Sequence, residues 1–322
     1  MTNKERYRIW CEEKPIPLFM QAWWLDAVCV EGKEWNVLLY EENDKIIAAL
    51  PYHLLKKCGF KIVIQPQQTQ YNGIWIDYPK DRKLHKRYSF EKKVMDNLIS
   101  QLENLKLSYF SQHFHHSFTN WQPFYWRNFK QTTRYTYVLK DIENAENIFE
   151  NLHPRYKQRI RKEKEELTVS FDLPPDVFYE FHKKSLQQAG QKVEYSEKLF
   201  LSIFNAATCR NQGKIIAVKD KNDNLLSALF VVWDTNCGYN LITARRIVNG
   251  SNASSICMIW EAIKYLGDKA KNYDFEGSMI EGVACVNQQF GAEQTPYFSI
   301  EKSYSCICRL LLKMKIYYEH HK

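Results

Sequence analysis

The stretch Tyr273-Asp274-Phe275-Glu276-Gly277-Ser278-Met279-Ile280-Glu281-Gly282 decides how this chain reads. A short apolar run enters it from Asn272, and glycines and carboxylates stand at its exit. Val283 to Phe290 then has helical spacing, and Gly291-Ala292 stops it. Pro296 to Ile300 reads as a further strand. A strand that ends in a Gly-containing acidic turn and feeds a helix is a common substrate position in α/β folds.

Outward from this turn, the same order of elements occurs twice. In the first half Leu18–Val28 is helical, and Trp35–Tyr40, Ile46–Leu55 and Lys61–Ile64 are strands. A polar loop, Gln65–Gly73, leads toward the helix Ser89–Leu105, the strand Leu107–Phe114, the short helix Pro123–Phe129 and the strand Thr132–Leu139. Residues 1–17 read as a charged, Pro-containing lead-in. In the second half Pro175–Ala189 and Ser196–Asn211 are helices. Lys214–Lys219, Leu225–Trp233 and Tyr239–Ala244 are strands, and Ser254–Ala270 is a helix with Ile256, Ile259, Trp260, Ile263 and Leu266 on one face. Letters match as well: Asn43-Asp-Lys-Ile-Ile-Ala-Ala-Leu50 parallels Asn222-Asp-Asn-Leu-Leu-Ser-Ala-Leu229 at an offset of 222 − 43 = 179. Phe129 to Thr136 likewise parallels Phe290 to Tyr297. Hairpin turns favour Asn-Asp in any case, but matches in the same order favour duplication. The reading is therefore a mixed α/β chain of two domains, 1–140 and 141–322.

The 322 residues suffice for two cores of ordinary size. With 45% apolar and 25% charged residues the chain reads as globular. A formal charge of +8 favours anionic partners without choosing among phosphate, RNA and lipid. No apolar run approaches the ~20 residues that span a bilayer, and the charged start lacks a signal-peptide core. The nine scattered cysteines read as reduced thiols in a cytoplasmic protein, and Cys306-x-Cys308 alone is a poor zinc signature. His113, His115 and His116 have no Cys or carboxylate beside them to complete a metal site, so no metal is expected.

With these elements and residues in place, the chain resembles the Fem-type family of tandem-GNAT peptidyltransferases and acyltransferases. Asp274-Phe275-Glu276-Gly277, Glu281-Gly282, Phe290-Gly291 and Tyr297 carry the likeness. Arg155-Tyr-Lys-Gln-Arg159-Ile-Arg161-Lys162 looks like the basic helix that opens the family's second domain, and Thr69-Gln70-Tyr71-Asn72-Gly73-Ile74-Trp75 like its substrate-side loop. The likeness covers roughly residues 18–302 and lies in element order more than in identity. It implies two GNAT-like N-acyltransferase domains and transfer of an acyl or aminoacyl group to a small-molecule or peptide amine, such as a cell-wall precursor. Acyl-CoA or aminoacyl-tRNA would be the co-substrate, with no tightly bound cofactor. The long coiled-coil arm of some Fem ligases has no counterpart heptad run here, which bears on a tRNA donor.

Acyl transfer to an amine needs the amine neutral, and a carboxylate can take the proton. Glu276 and Glu281 are the candidates, with Asp274 as a third carboxylate that could instead hold the turn. Gly277 and Ser278 would let the backbone approach a substrate, and free N–H groups there would steady an oxyanion. The alternative is a capped turn with a solvated Glu276. Gln70, Tyr71 and Asn72 are expected to line one wall of an acceptor groove between the halves. Arg155, Arg159 and Lys162 fall on one helical face, with Leu152, Tyr156 and Ile160 packing down; the stripe suits diphosphate or an RNA backbone, or is a solvated face. Arg245, Arg246, Gly250, Ser251, Asn252, Ala253 and Ser254 precede a helix N-terminus, where phosphate binds well. That loop has a single glycine, which leaves open a non-catalytic nucleotide- or RNA-binding module on the same fold.

Overall fold

A computed structural model describes the chain except residues 58, 80–82, 249–250, 253, 278 and 312–322, and for 247–248 and 251–252 it describes the backbone alone. The described residues form two compact units, Met1–Arg134 with Pro296–Lys322, and Tyr135–Thr295.

In the first unit, strands Glu34–Glu42, Lys45–Lys57 and Phe60–Ile64 run antiparallel in sequence order. The first hairpin turns at Asn43 and Asp44, both with positive φ (49° and 61°), residue types that tolerate the left-handed region best after glycine. Phe60–Ile64 then pairs in parallel with Tyr109–His113. Parallel neighbours need a crossover, and the helix Leu84–Asn104 supplies it. Its Val94, Met95, Leu98, Ile99 and Leu102 are buried against Leu50, Tyr52, Val63 and Phe110. Along Glu34–Glu42 the side chains alternate between two cores. Leu38 and Tyr40 join this one, while Trp35, Val37 and Leu39 join a second on the opposite face. A strand buried on both sides reads as a continuous apolar run, as Val37–Tyr40 does.

The second core corrects the reading of residues 1–17 as a lead-in. Asn3–Glu13 is a helix with a capping box between Thr2 and Glu5, and it buries Tyr7 and Trp10. Tyr7 donates from its hydroxyl to Met20 O at 2.7 Å, and Arg8 forms a two-point pair with Asp26, which also accepts from Trp35 Nε1 at 2.9 Å.

The second unit repeats the plan. Gly213–Lys219 and Leu225–Trp233 form a hairpin, Cys237–Arg245 pairs with the latter, and Asn272–Asp274 pairs in parallel with Cys237–Arg245. Helix Ser255–Leu266 makes the crossover, burying Met258, Ile259, Ile263 and Leu266 among Ile216, Leu229 and Val231. Thr168–Ser170 adds an edge strand.

One exchange of strands departs from the expected boundary at residue 140. The strand that ends the first copy, Lys130–Leu139, pairs Val138 and Leu139 with Asp274 and Tyr273 of the second unit. The strand that ends the second copy, Glu293–Ser303, pairs Ser299–Ser303 with Tyr109–His113 of the first. Each compact unit thus takes its last strand from the other copy's sequence. Among the described residues no helix is long and apolar enough to cross a membrane.

Replacing Trp10, 5% exposed, by Ala is expected to cost about 3–5 kcal/mol. Chemical denaturation measures it, and an unchanged midpoint would show that the N-terminal helix lies outside the cooperative core.

Candidate active site

The acidic turn is built by backbone constraints before any substrate is considered. Asn272–Asp274 ends at a carboxylate that is 0% exposed. A buried carboxylate is tolerated only with hydrogen-bond donors around it. Asp274 receives the Thr136 hydroxyl and the Glu276 N–H, the latter at 2.8 Å. Thr136 Oγ1 in turn accepts from Gly277 N–H at 2.9 Å. Phe275 N–H donates to Tyr137 O at 3.0 Å, continuing the pairing past the end of the strand. The exit of the strand is therefore fastened to residues 136 and 137 along several consecutive residues.

Gly277 is required by this closeness. A Cβ there would overlap Tyr135 O and stand 2.6 Å from Thr136 Cα. The expectation that Gly277 brings the backbone near a substrate is thus corrected: its close approach is to the neighbouring strand. Of the expected oxyanion donors, the Gly277 N–H is already engaged by Thr136, as the neighbouring Glu276 N–H is by Asp274.

Glu276 is different from its neighbours. It sits in the left-handed region at φ 53°, a strained backbone for a residue with a side chain. The residue is half-buried, yet its Oε1 is closed off from solvent and has no hydrogen-bond partner. Burial first, and then the Asp274 carboxylate, push its pKa well above the usual carboxylate range. The Tyr273 hydroxyl is likewise buried without a partner, and burial with the nearby Asp274 and Glu276 pushes it up. An orphaned carboxyl and an orphaned phenol together are the kind of unsatisfied pair that marks a functional site. Glu281, by contrast, is exposed in the first turn of the helix Glu281–Gln289. Met279, Ile280 and Val283 beside it are exposed at 58%, 66% and 38%, an apolar patch next to the carboxyl group.

The remaining candidates divide. Tyr71 and Asn72 are 0% exposed, so they do not line an open wall as expected. Tyr71 packs edge-on against His115 and Tyr297 at 5.0 and 5.2 Å and accepts from Gln70 Nε2 at 2.9 Å. Asn72 N–H donates to His113 O at 2.6 Å, while its Nδ2 is buried without a partner. On the basic helix, Pro154–Glu166, Tyr156 and Ile160 pack down as the spacing required. Arg155 and Lys162 are exposed, but Arg159 is engaged by Glu163 at 2.6 Å. Arg245 and Arg246 are exposed, and their N–H groups donate to Ser185 Oγ and Leu226 O. Ser251 and Asn252 pair with Val248 and Ile247 in a small ladder. Ser254, left-handed at φ 58°, does not cap the helix; its hydroxyl bonds Ser227 Oγ at 2.8 Å. Gly250, Ala253 and Ser278 lie outside the described residues.

Thr136 and Tyr273 are the site residues that sequence reasoning missed. Thr136 lies 138 positions from the carboxylate it meets. Only the strand exchange brings them together, and the signal available beforehand was a lone threonine within residues 135–139 at the end of its strand.

Gly277→Ala is expected to destabilise by about 3 kcal/mol or more, because backbone atoms cannot yield as a side chain would; a variant melting like the parent would refute the packing. For Glu276 the sign follows from its raised folded value. Its stabilising hold on the proton is complete below the ordinary value of 4.5 and is lost as pH rises through the folded value. The melting temperature of the parent should therefore fall relative to that of Glu276→Gln as pH rises above that point, with no pH-dependent difference below it. Parallel melting curves across pH 4–9 would show that Glu276 is not held protonated.

No family model matches the chain, and no curated protein sequence matches it. Solved structures do. FemX is 12% identical with a TM-score of 0.70, covering 92% of this chain and 96% of its own. L-PGS from Bacillus licheniformis is 9% identical with a TM-score of 0.57, covering 97% and 96%. A tandem GNAT protein from the clavulanic acid biosynthesis pathway is 8% identical with a TM-score of 0.50, covering 87% and 94%. The likeness extends over nearly the whole of each chain and is a likeness of fold. The chain thus has the Fem-like tandem-GNAT fold, the architecture that the repeat and its crossovers had indicated.

Proposed function

We propose that the chain is a Fem-like N-acyltransferase that passes an acyl or aminoacyl group from acyl-CoA or aminoacyl-tRNA to an amine. The observation that carries this reading is the Glu276 carboxyl group, enclosed, without a partner at Oε1, and with its pKa raised above the ordinary carboxylate range on a hydrogen-bonded turn. A proton acceptor works best when its own affinity for the proton lies near the working pH. An ordinary exposed carboxylate is too weak a base to deprotonate an ammonium, and enclosure narrows that gap.

The chemistry follows directly. Ionised Glu276 takes a proton from the acceptor ammonium. The freed lone pair forms a C–N bond at the donor carbonyl, and the C–S bond of a thioester or the C–O bond of an aminoacyl ester then breaks. The attacking nitrogen gives up its second proton as the amide forms, the departing thiolate or alkoxide takes up one proton, and no enzyme acyl intermediate is formed. Asp274 acts as a positioning residue, fixing the backbone of Glu276. The apolar side chains of Met279, Ile280 and Val283 offer a surface for the hydrocarbon part of a substrate. Exposed Arg155 and Lys162 suit the phosphates of either donor. The resemblance to the Fem-type family makes a cell-wall precursor amine the first acceptor to test.

Incubation with acetyl-CoA or with charged tRNA, and with amine acceptors, identifies the donor by product mass. In the reaction so found, Glu276→Gln is expected to lower the rate by roughly 10²–10⁴, and Glu281→Gln by much less. The parent rate should rise with pH through a midpoint above the ordinary carboxylate range. A Glu276→Gln enzyme with the parent rate would end the assignment.

A further inference from the structure

The first unit carries a cavity of about 590 Å³ that the acyl-transfer reading does not use. It lies between the helix Leu84–Asn104 and the short helix Gln122–Trp126, with the loop before the latter. Tyr88, Trp121, Trp126 and Phe298 line it. Phe124 and Phe129, from the same aromatic stretch, are buried in the core. Tyr88 and Trp126 instead remain 53% and 54% exposed. Aromatic rings left in water around a concavity of this size are a recognised mark of a ligand site.

The rim is held in place. Glu91 is 2% exposed, and its carboxylate accepts from Tyr78 OH at 3.0 Å, Arg87 Nε at 2.9 Å and Asn120 Nδ2 at 2.7 Å. Asn120 Oδ1 then accepts the Gln122 N–H at 3.3 Å. A buried carboxylate thereby fixes the loop that carries Thr119, Trp121 and Gln122, which lowers the ordering cost of binding.

Charge selects the ligand. Lys92 is paired with Asp96, and its ammonium stands 5.8 Å from the centre of the Trp126 ring. It already stands over the ring face that a cationic guest would need. The other basic groups nearby have acidic partners too: Arg87 with Glu91, Lys93 with Glu42, and Arg127 with Glu103. With its cations compensated, the rim offers little field for a phosphate or an anionic bilayer. A flat heterocycle would need fixed donors and acceptors, and the fixed amide, Asn120, is already engaged on both sides. Thr119 and Gln122 remain, rotatable groups that both donate and accept, while the Ser89 hydroxyl donates to His85 O at 3.1 Å and keeps only its acceptor side. That set suits vicinal hydroxyls.

We infer that this cavity binds a neutral sugar ring. Its C–H face would lie on Trp126 or Tyr88, and its hydroxyls would bond Thr119 and Gln122 and donate to Ser89 Oγ. The site belongs to the first unit and does not depend on the transfer reaction.

Tryptophan fluorescence of the intact chain, titrated with cellobiose, maltose and diacetylchitobiose, tests it. AMP and phosphatidylcholine–phosphatidylglycerol vesicles run alongside. At least one neutral disaccharide should saturate with a Kd of about 1 mM. Trp126→Ala should weaken it about tenfold, and Trp126→Phe, which keeps a ring face, much less. Circular dichroism shows that the variants are folded, and isothermal titration replaces the fluorescence signal where Trp126 is removed. Saturation by no neutral disaccharide, an affinity indifferent to Trp126→Ala, or binding of AMP or vesicles alone would each overturn the inference.

Discussion

The contact between the Thr136 hydroxyl and the Asp274 carboxylate fixes the candidate site. A carboxylate with no exposed surface must be supplied with donors, and here they come from the neighbouring strand and from its own turn. Because Thr136 also accepts from Gly277 N–H, one hydroxyl serves both ends of the turn. Glu276 lies between these anchors and has little freedom. The left-handed backbone at that residue is therefore sustained by its surroundings, as strained residues at working sites usually are.

That contact exists because the two copies exchange their last strands. Val138 and Leu139 pair with Asp274 and Tyr273, so residues from the end of the first copy complete the sheet that carries the acidic turn. The reciprocal pairing of Ser299–Ser303 with Tyr109–His113 completes the other sheet. A strand supplied from far along the chain costs loop entropy, and apolar burial on both faces offsets it, with Tyr137 and Leu139 in one core and Ile300 in another.

The same turn separates two glutamates that look alike on paper. Glu276 is enclosed beside a second carboxylate, which disfavours its charge. Glu281, five positions on, faces water at a helix start. Enclosure, more than residue type, therefore sets Glu276 apart from Glu281. The tyrosine before the turn belongs to this environment, since its unpartnered hydroxyl is buried near both acids.

The amino-acid order alone determined the element plan, the repeat and the position of the acidic turn. Those rest on local signals: apolar periodicity, turn residues at Asn43-Asp44, and a glycine where a side chain does not fit. It also held a signal that went unread, the Thr2-x-x-Glu5 box opening a helix whose charged surface hides Tyr7 and Trp10. Only the tertiary structure decided which strand joins which sheet, that Tyr71 and Asn72 are buried, and that Glu276 rather than Glu281 is enclosed. Those outcomes depend on partners that periodicity cannot name, because desolvation and hydrogen bonding are set by groups up to 138 positions away.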